Sequence, residues 1–186
     1  GNNTTASGFS STAMGRNTSA SGSYSTAMGY NTEASDESST AMGENTLASG
    51  YASTAMGRET TASGLFSTAM GDDTTASGDA STAMGNGTTA SGLLSTAMGY
   101  DTTASGASST AMGESTTASD FGSLVIGQYN LSGATITSSA NTFDTANTAF
   151  VIGNGTGAGA NTSDAFKVMF NGDTTVSGSV TATKFI

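Results

Sequence analysis

The chain has 186 residues, only 35% of them hydrophobic and many of those alanine, so a large globular core is not expected. It holds no Cys, His, Pro or Trp, which removes disulfides, thiolate metal sites and the commonest general base. The formal charge is −10 with four cations, Arg16, Arg58, Lys167 and Lys184, which is the wrong sign for gripping nucleic-acid phosphates.

From its first residues the chain repeats itself. Alanine recurs every seventh position, at Ala6, Ala13, Ala20, Ala27, Ala34, Ala41, Ala48, Ala55, Ala62, Ala69, Ala76, Ala83, Ala90, Ala97, Ala104, Ala111 and Ala118, and Val125 takes the next place in register. Two residues after each alanine stands Gly, except at Asp36 and Asp120, and two before stands Ser or Thr. The seven-residue units alternate between Ser-Thr-Ala-Met-Gly, as in Ser11 to Gly15, and Thr-Thr-Ala-Ser-Gly, as in Thr60 to Gly64. The true repeat is therefore 14 residues, with nine copies opening at Thr4, Thr18, Thr32, Thr46, Thr60, Thr74, Thr88, Thr102 and Thr116. So strict a period argues against disorder. Opening in mid-pattern at Gly1, without a signal peptide, the chain reads as a mature form or a piece of something longer.

A seven-residue period does not make a coiled coil here. Each unit carries Gly and β-branched Thr, which disfavour helix, and Ala with Gly or Ser cannot fill a and d positions. Five residues suit a short strand and two a tight turn. Two strands and two turns make one rung of a solenoid whose rungs stack in parallel, and nine rungs give a rod about 43 Å long. Strand alternation then assigns faces. With alanine inward, the flanking Ser or Thr and Gly also point inward, and the alanine column from Ala6 to Ala118, with Val125, is the predicted roll core. The opposite parity puts Met on one side of the core and paired hydroxyls on the other, which costs desolvation.

With alanine inward, Met14, Met28, Met42, Met56, Met70, Met84, Met98 and Met112 form a ladder on the outside of the roll, and Ile126 continues it. A continuous exposed apolar stripe marks an association surface, and a roll cored by alanine is thin. This ladder is the predicted interface of a symmetric homo-oligomer. The turns after the Met strands are polar, as in Arg16-Asn17, Glu44-Asn45, Asp72-Asp73 and Asn86-Gly87. Those after the other strands are often apolar: Phe9, Tyr24, Tyr51, Leu65-Phe66, Leu93-Leu94 and Phe121. This second greasy column is expected to lie against a neighbouring subunit, or else to form an adhesive edge.

The period is lost from Gln128 onward, which divides the chain into a roll of residues 1–127 and a β-rich connector of residues 128–186. Phe150 to Gly153 and Ala165 to Phe170 read as strands, Asn171-Gly172-Asp173 as a hairpin turn, and Thr174 to Ile186 as a further strand region, of which Val176 to Ile186 is free to pair with a neighbouring subunit. Gly153 to Gly159 is a flexible loop that lacks the Lys and following helix of a phosphate loop. No stretch is apolar enough to span a bilayer.

Ser-x-Ala-x-Gly every seven residues, paired into 14-residue repeats and closing with Ser123-Leu124-Val125-Ile126-Gly127, resembles the head repeats of trimeric autotransporter adhesins of the YadA type. The resemblance covers residues 4–127, with Met where that family tends to place Ile or Val. It implies an all-β fold, a left-handed parallel β-roll that packs as a homotrimer on a cell surface, and it brings no catalytic residues. Ala149 to Gly155 and Val180 to Ile186 resemble the connector that precedes intramolecular chaperone domains in phage tail fibres, which implies a virion fibre as an alternative setting.

The expected function is a structural, extracellular, trimeric fibre or adhesin segment that mediates attachment to a surface receptor, protein or glycan. No catalysis, cofactor, metal or nucleic-acid partner is expected. An ice-binding solenoid is a further alternative, on the column Thr5, Ser19, Glu33, Leu47, Thr61, Thr75, Thr89, Thr103 and Thr117, which Glu33 and Leu47 roughen.

Overall fold

In each repeat, Thr-Ala-Met favours extended backbone through its β-branched residue, and the glycine that follows lets the chain leave the strand. The computed structural model, which describes residues 1–181, shows the result to be a parallel β-solenoid of nine coils. Each coil contributes one strand to each of two sheets. One sheet is built of five-residue strands from Thr12–Arg16 through Thr68–Asp72 to Leu124–Gln128. The other is built of two-residue strands from Thr5–Ala6 through Thr61–Ala62 to Thr117–Ala118. Every pairing between coils is parallel and offset by 14 residues, so like meets like: Ala69 pairs Ala55 and Ala83, and Met70 pairs Met56 and Met84.

The two half-repeats differ more than their common seven-residue length suggests. Strands of equal length were expected, but the Thr-Thr-Ala-Ser-Gly unit turns directly after its alanine. There the amide of Ser67 donates to the carbonyl of Gly64 at 3.2 Å, and the same closure recurs coil after coil. The glycines also part ways. Gly64 and its equivalents are buried as expected, whereas those of the Met strands, such as Gly71, are exposed. Gly71 has φ +129°, which swings the chain out of strand alternation, so the inward and outward parity ends at Met70. A Cβ on Gly71 would lie 2.0 Å from the carbonyl oxygen of Gly85 in the next coil.

Both alanines of each coil, from Ala20 to Ala118, are fully buried, and Val125 and Val151 extend the same file. Ala13 is half-buried and Ala6 exposed in the first coil, where the period assigns both to the core column. Serines such as Ser67 and threonines such as Thr74 complete the interior. The hydroxyls of Thr18, Thr32, Thr46, Thr60, Thr74, Thr88, Thr102 and Thr116 find no hydrogen-bond partner among the described residues.

Beyond Gln128 the short-strand sheet stops while the long-strand sheet goes on to twelve strands. Thr148–Asn154 pairs parallel with Leu124–Gln128, and Asp164–Met169 and Thr174–Val176 then add antiparallel strands. The turn at Asn171-Gly172-Asp173 joins these last two, with the Asp173 amide donating to Asn171 Oδ1 at 2.9 Å. The final strand is shorter than the expected region Thr174 to Ile186: it ends at Val176, residues 177–181 are not strand, and the remainder lies outside the described residues.

Residues 129–147 close the end of the solenoid, and polar side chains take the place of a tenth coil. Asn130 accepts from the Thr117 amide at 2.8 Å and donates to the Thr117 carbonyl at 2.9 Å, so its carboxamide stands in for the next strand's peptide group. Asp120, fully buried, accepts from the amides of Thr137 at 2.6 Å and Thr148 at 2.8 Å. Asn147, also buried, accepts from the Ser139 amide at 2.8 Å and donates to the Ser139 carbonyl at 2.7 Å.

Candidate functional site

The outer face of the long-strand sheet carries two columns, Thr12 to Thr110 and Met14 to Met112, backed by the alanines of the core. Because Met28, Met42, Met56, Met70, Met84 and Met98 are each flanked by methionines above and below, and Met112 by Met98 and Ile126, all seven are half-buried. Met14, at the open end, is 59% exposed. Strand pairing carries the methionine column on to Ile126, Ile152, Phe166 and Val176, and the threonine column on to Leu124, Phe150, Val168 and Thr174. The sequence names the first part of this surface. It misses Phe150, Ile152, Phe166 and Val168, because the period is lost before them and antiparallel pairing places two of the four.

The two edges of the rod differ chemically. On the edge after the long strands, Arg58 binds Asp72 at 2.6 Å and Glu59 at 3.3 Å. The hydrogen bond to Asp72, then the charges of Asp72 and Glu59, raise the Arg58 guanidinium above its usual value. Arg16 lies over the ring of Tyr30 at 5.5 Å, and Asn31 donates to Asn45 at 2.8 Å. Asn17, Asn31 and Asn45 occupy left-handed backbone here, which asparagine tolerates.

On the opposite edge, Phe9 meets Tyr24 edge to face at 5.6 Å, and Tyr51 meets Phe66 at 5.3 Å. Leu65, Leu93 and Leu94 are exposed beside them. Tyr24, Phe66 and Leu94 have φ near +60°, strained for bulky side chains, so large apolar groups sit on this edge against backbone preference. Rungs bearing Glu37-Ser38 and Asp79-Ala80 interrupt the column.

The outer face of the short-strand sheet presents Thr61, Thr75, Thr89, Thr103 and Thr117 in register, with Glu33 paired to Leu47 below them. The amides of the glycine-rich loop turn back on the chain: Gly155 donates to the Gln128 carbonyl at 3.1 Å and Thr156 to the Asn161 carbonyl at 3.0 Å. Among the described residues, no three acidic side chains gather closely enough to hold a metal ion, and no helix is long and apolar enough to cross a membrane.

No repeat or motif in the sequence marks the carboxamides of the cap. One sign of the cap was present: Asp120 breaks the glycine column just before the period ends.

A family model described as the YadA head domain repeat (2 copies) matches residues 6–32, 34–60, 48–74, 62–88, 90–115 and 104–130. No curated protein matches the chain.

Proposed function

This chain belongs to the family of YadA head domain repeats, and from that premise we propose that it serves as a rigid extracellular fibre segment, a homotrimer that carries attachment at a bacterial surface. The observation that carries the reading is the unbroken Thr and Met face of the long-strand sheet. Only alanine, serine and threonine lie behind it, so a lone chain leaves the methionines of this face half in water. Three copies that turn this face toward a common axis cover the methionines and thicken the rod in one step. Met14 through Met112 and Ile126 are the proposed contacts.

In such an assembly the charged edge and the Thr/Ser face remain outside to meet a receptor, protein or glycan. The column of Phe9, Tyr24, Tyr51, Phe66 and Leu94 lies against the neighbouring subunit. No catalytic role is proposed. The same geometry suits a virion fibre, the setting that the connector sequence around Ala149 to Gly155 suggests.

Light scattering tests the assembly. The expected mass is three times the 18.1 kDa of the chain. A monodisperse single chain at micromolar concentration refutes the proposal.

A further inference from the structure

A ladder of identical rungs is degenerate. From Thr12 and Met14 to Thr110 and Met112 the outer face repeats without change. A copy displaced by one coil meets the same side chains and loses only the contacts of an end rung. Repetitive surfaces of this kind specify register weakly.

At the C-terminal end the pattern changes. The two columns become Leu124 with Ile126, then Phe150 with Ile152, then Val168 with Phe166. Phe150 and Phe166 meet at 6.0 Å between ring centres. Leu, Phe and Val stand here where the repeat has Thr, and Ile, Ile and Phe where it has Met, so no two successive rungs carry the same pair; none is charged, and all lie half-buried or exposed in the single chain. They continue the methionine ladder strand by strand in the same hydrogen-bonded sheet.

We infer that the face formed by Leu124, Phe150, Ile152, Phe166 and Val168 is the register lock of the assembly, and that its occupants are the same face of the other two copies. The inference rests on the proposed self-association and deepens it. Displacement by one coil sets Phe150 against Leu124 and Val168 against Phe150 in one column and Phe166 against Ile152 in the other, with Ile152 alone meeting its like in Ile126, whereas the aligned arrangement matches each rung with itself.

The chain has no cysteine, so single reporters are clean. Met56→Cys and Met84→Cys are placed on separate chains, two coils apart in the ladder and about 10 Å along the rod, beyond the reach of a disulfide; a slip by one coil brings them to about 5 Å along the rod and a slip by two brings them level. The chains are mixed, refolded and oxidised. With the native end, links form between like positions only. A second pair of chains carries Leu124→Thr, Ile126→Met, Phe150→Thr, Ile152→Met, Phe166→Met and Val168→Thr, which write the repeat's own residues over the lock; Leu124→Thr, Ile126→Met, Phe150→Thr and Ile152→Met alone form the fourfold variant, which clears its first two rungs. Mixed links between positions 56 and 84 then rise about tenfold or more, equivalent to about 1.4 kcal/mol between registers, while the mass stays that of a trimer. Should the sixfold or the fourfold variant fail to fold, Phe150→Thr alone is expected to raise mixed links in the same direction. A trimer whose link pattern ignores these changes overturns the lock and leaves self-association standing. Mixed links already present with the native end overturn it too, and leave the face to a different protein. A native chain that is monomeric overturns the self-association beneath it.

Discussion

Asp36 and Asp120 are the two exceptions in the glycine column, and the structure gives them opposite weights. Among the described residues, the Asp36 carboxylate accepts only from the neighbouring Glu37 amide, at 2.7 Å and in contact with solvent. That of Asp120 is buried and holds the amides of Thr137 and Thr148. Asp120→Gly restores the repeat consensus yet strips both amides of their acceptor. Thr148 is buried, so its orphaned amide costs about 1.5–3 kcal/mol. Thr137 is exposed, so water replaces most of what is lost there, leaving about 0.5–1 kcal/mol. The expected destabilisation is about 2–4 kcal/mol, against no more than about 0.5 kcal/mol for Asp36→Gly. Asp120→Asn keeps one acceptor and turns an NH2 group toward the other amide, so it falls between the two. Urea unfolding followed by circular dichroism, at fixed chain concentration, gives the size. Hydrogen exchange at the Thr148 amide gives the place. Equal effects at positions 36 and 120, or unchanged protection of Thr148 in Asp120→Gly, refute the reasoning.

Two further outcomes are expected. Gly71→Ala combines φ +129° with a Cβ 2.0 Å from the Gly85 carbonyl oxygen, so it costs more than about 3 kcal/mol; Gly87→Ala has φ +65° and no neighbour closer than 3.6 Å, so it costs about 1 kcal/mol, and thermal unfolding separates them. Asp144 accepts from the Ala146 amide and then from the Ser138 hydroxyl, and these bonds hold its carboxyl below the usual aspartate value. The stabilisation this gives residues 138–146 is present above the unfolded value and is lost as pH falls through the depressed folded one. A carbon-detected NMR titration of the Asp144 carboxyl with a midpoint at or above the ordinary aspartate value contradicts it.

The solenoid was legible because its signal is redundant. Seventeen alanines at one spacing leave a single way to stack the coils, and the 14-residue period sets which strand pairs with which. What the period hides is the difference between its halves. Ser-Gly and Met-Gly look alike as strand exits, yet only the backbone shows that Gly64 stays inside and Gly71, at positive φ, swings out. Methionines 14 to 112 could be named as one column from spacing alone. Phe150 and Phe166 could not: 19 residues of cap separate Gln128 from Thr148, and a register shift beyond Ile152 precedes the antiparallel partner. Apart from Asp120, the cap left no mark in the sequence, for a simpler reason. Asn130 and Asn147 act by imitating backbone, and nothing in an asparagine's neighbours along the chain marks it for that work.

The parallel pairing of coils has a mechanical side. Backbone hydrogen bonds such as Thr68 to Ser81 and Phe66 to Tyr51 run from coil to coil, along the length of the rod. Tension applied end to end therefore pulls on all the bonds of one coil boundary together, and the boundaries stand in series. A coil that yields gives up about 4.8 Å of rod and releases 14 residues, which stretch to about 46–50 Å of slack chain. A tether made this way is stiff until one boundary gives, then lengthens about tenfold over that coil, taking up a sudden load while the remaining coils hold.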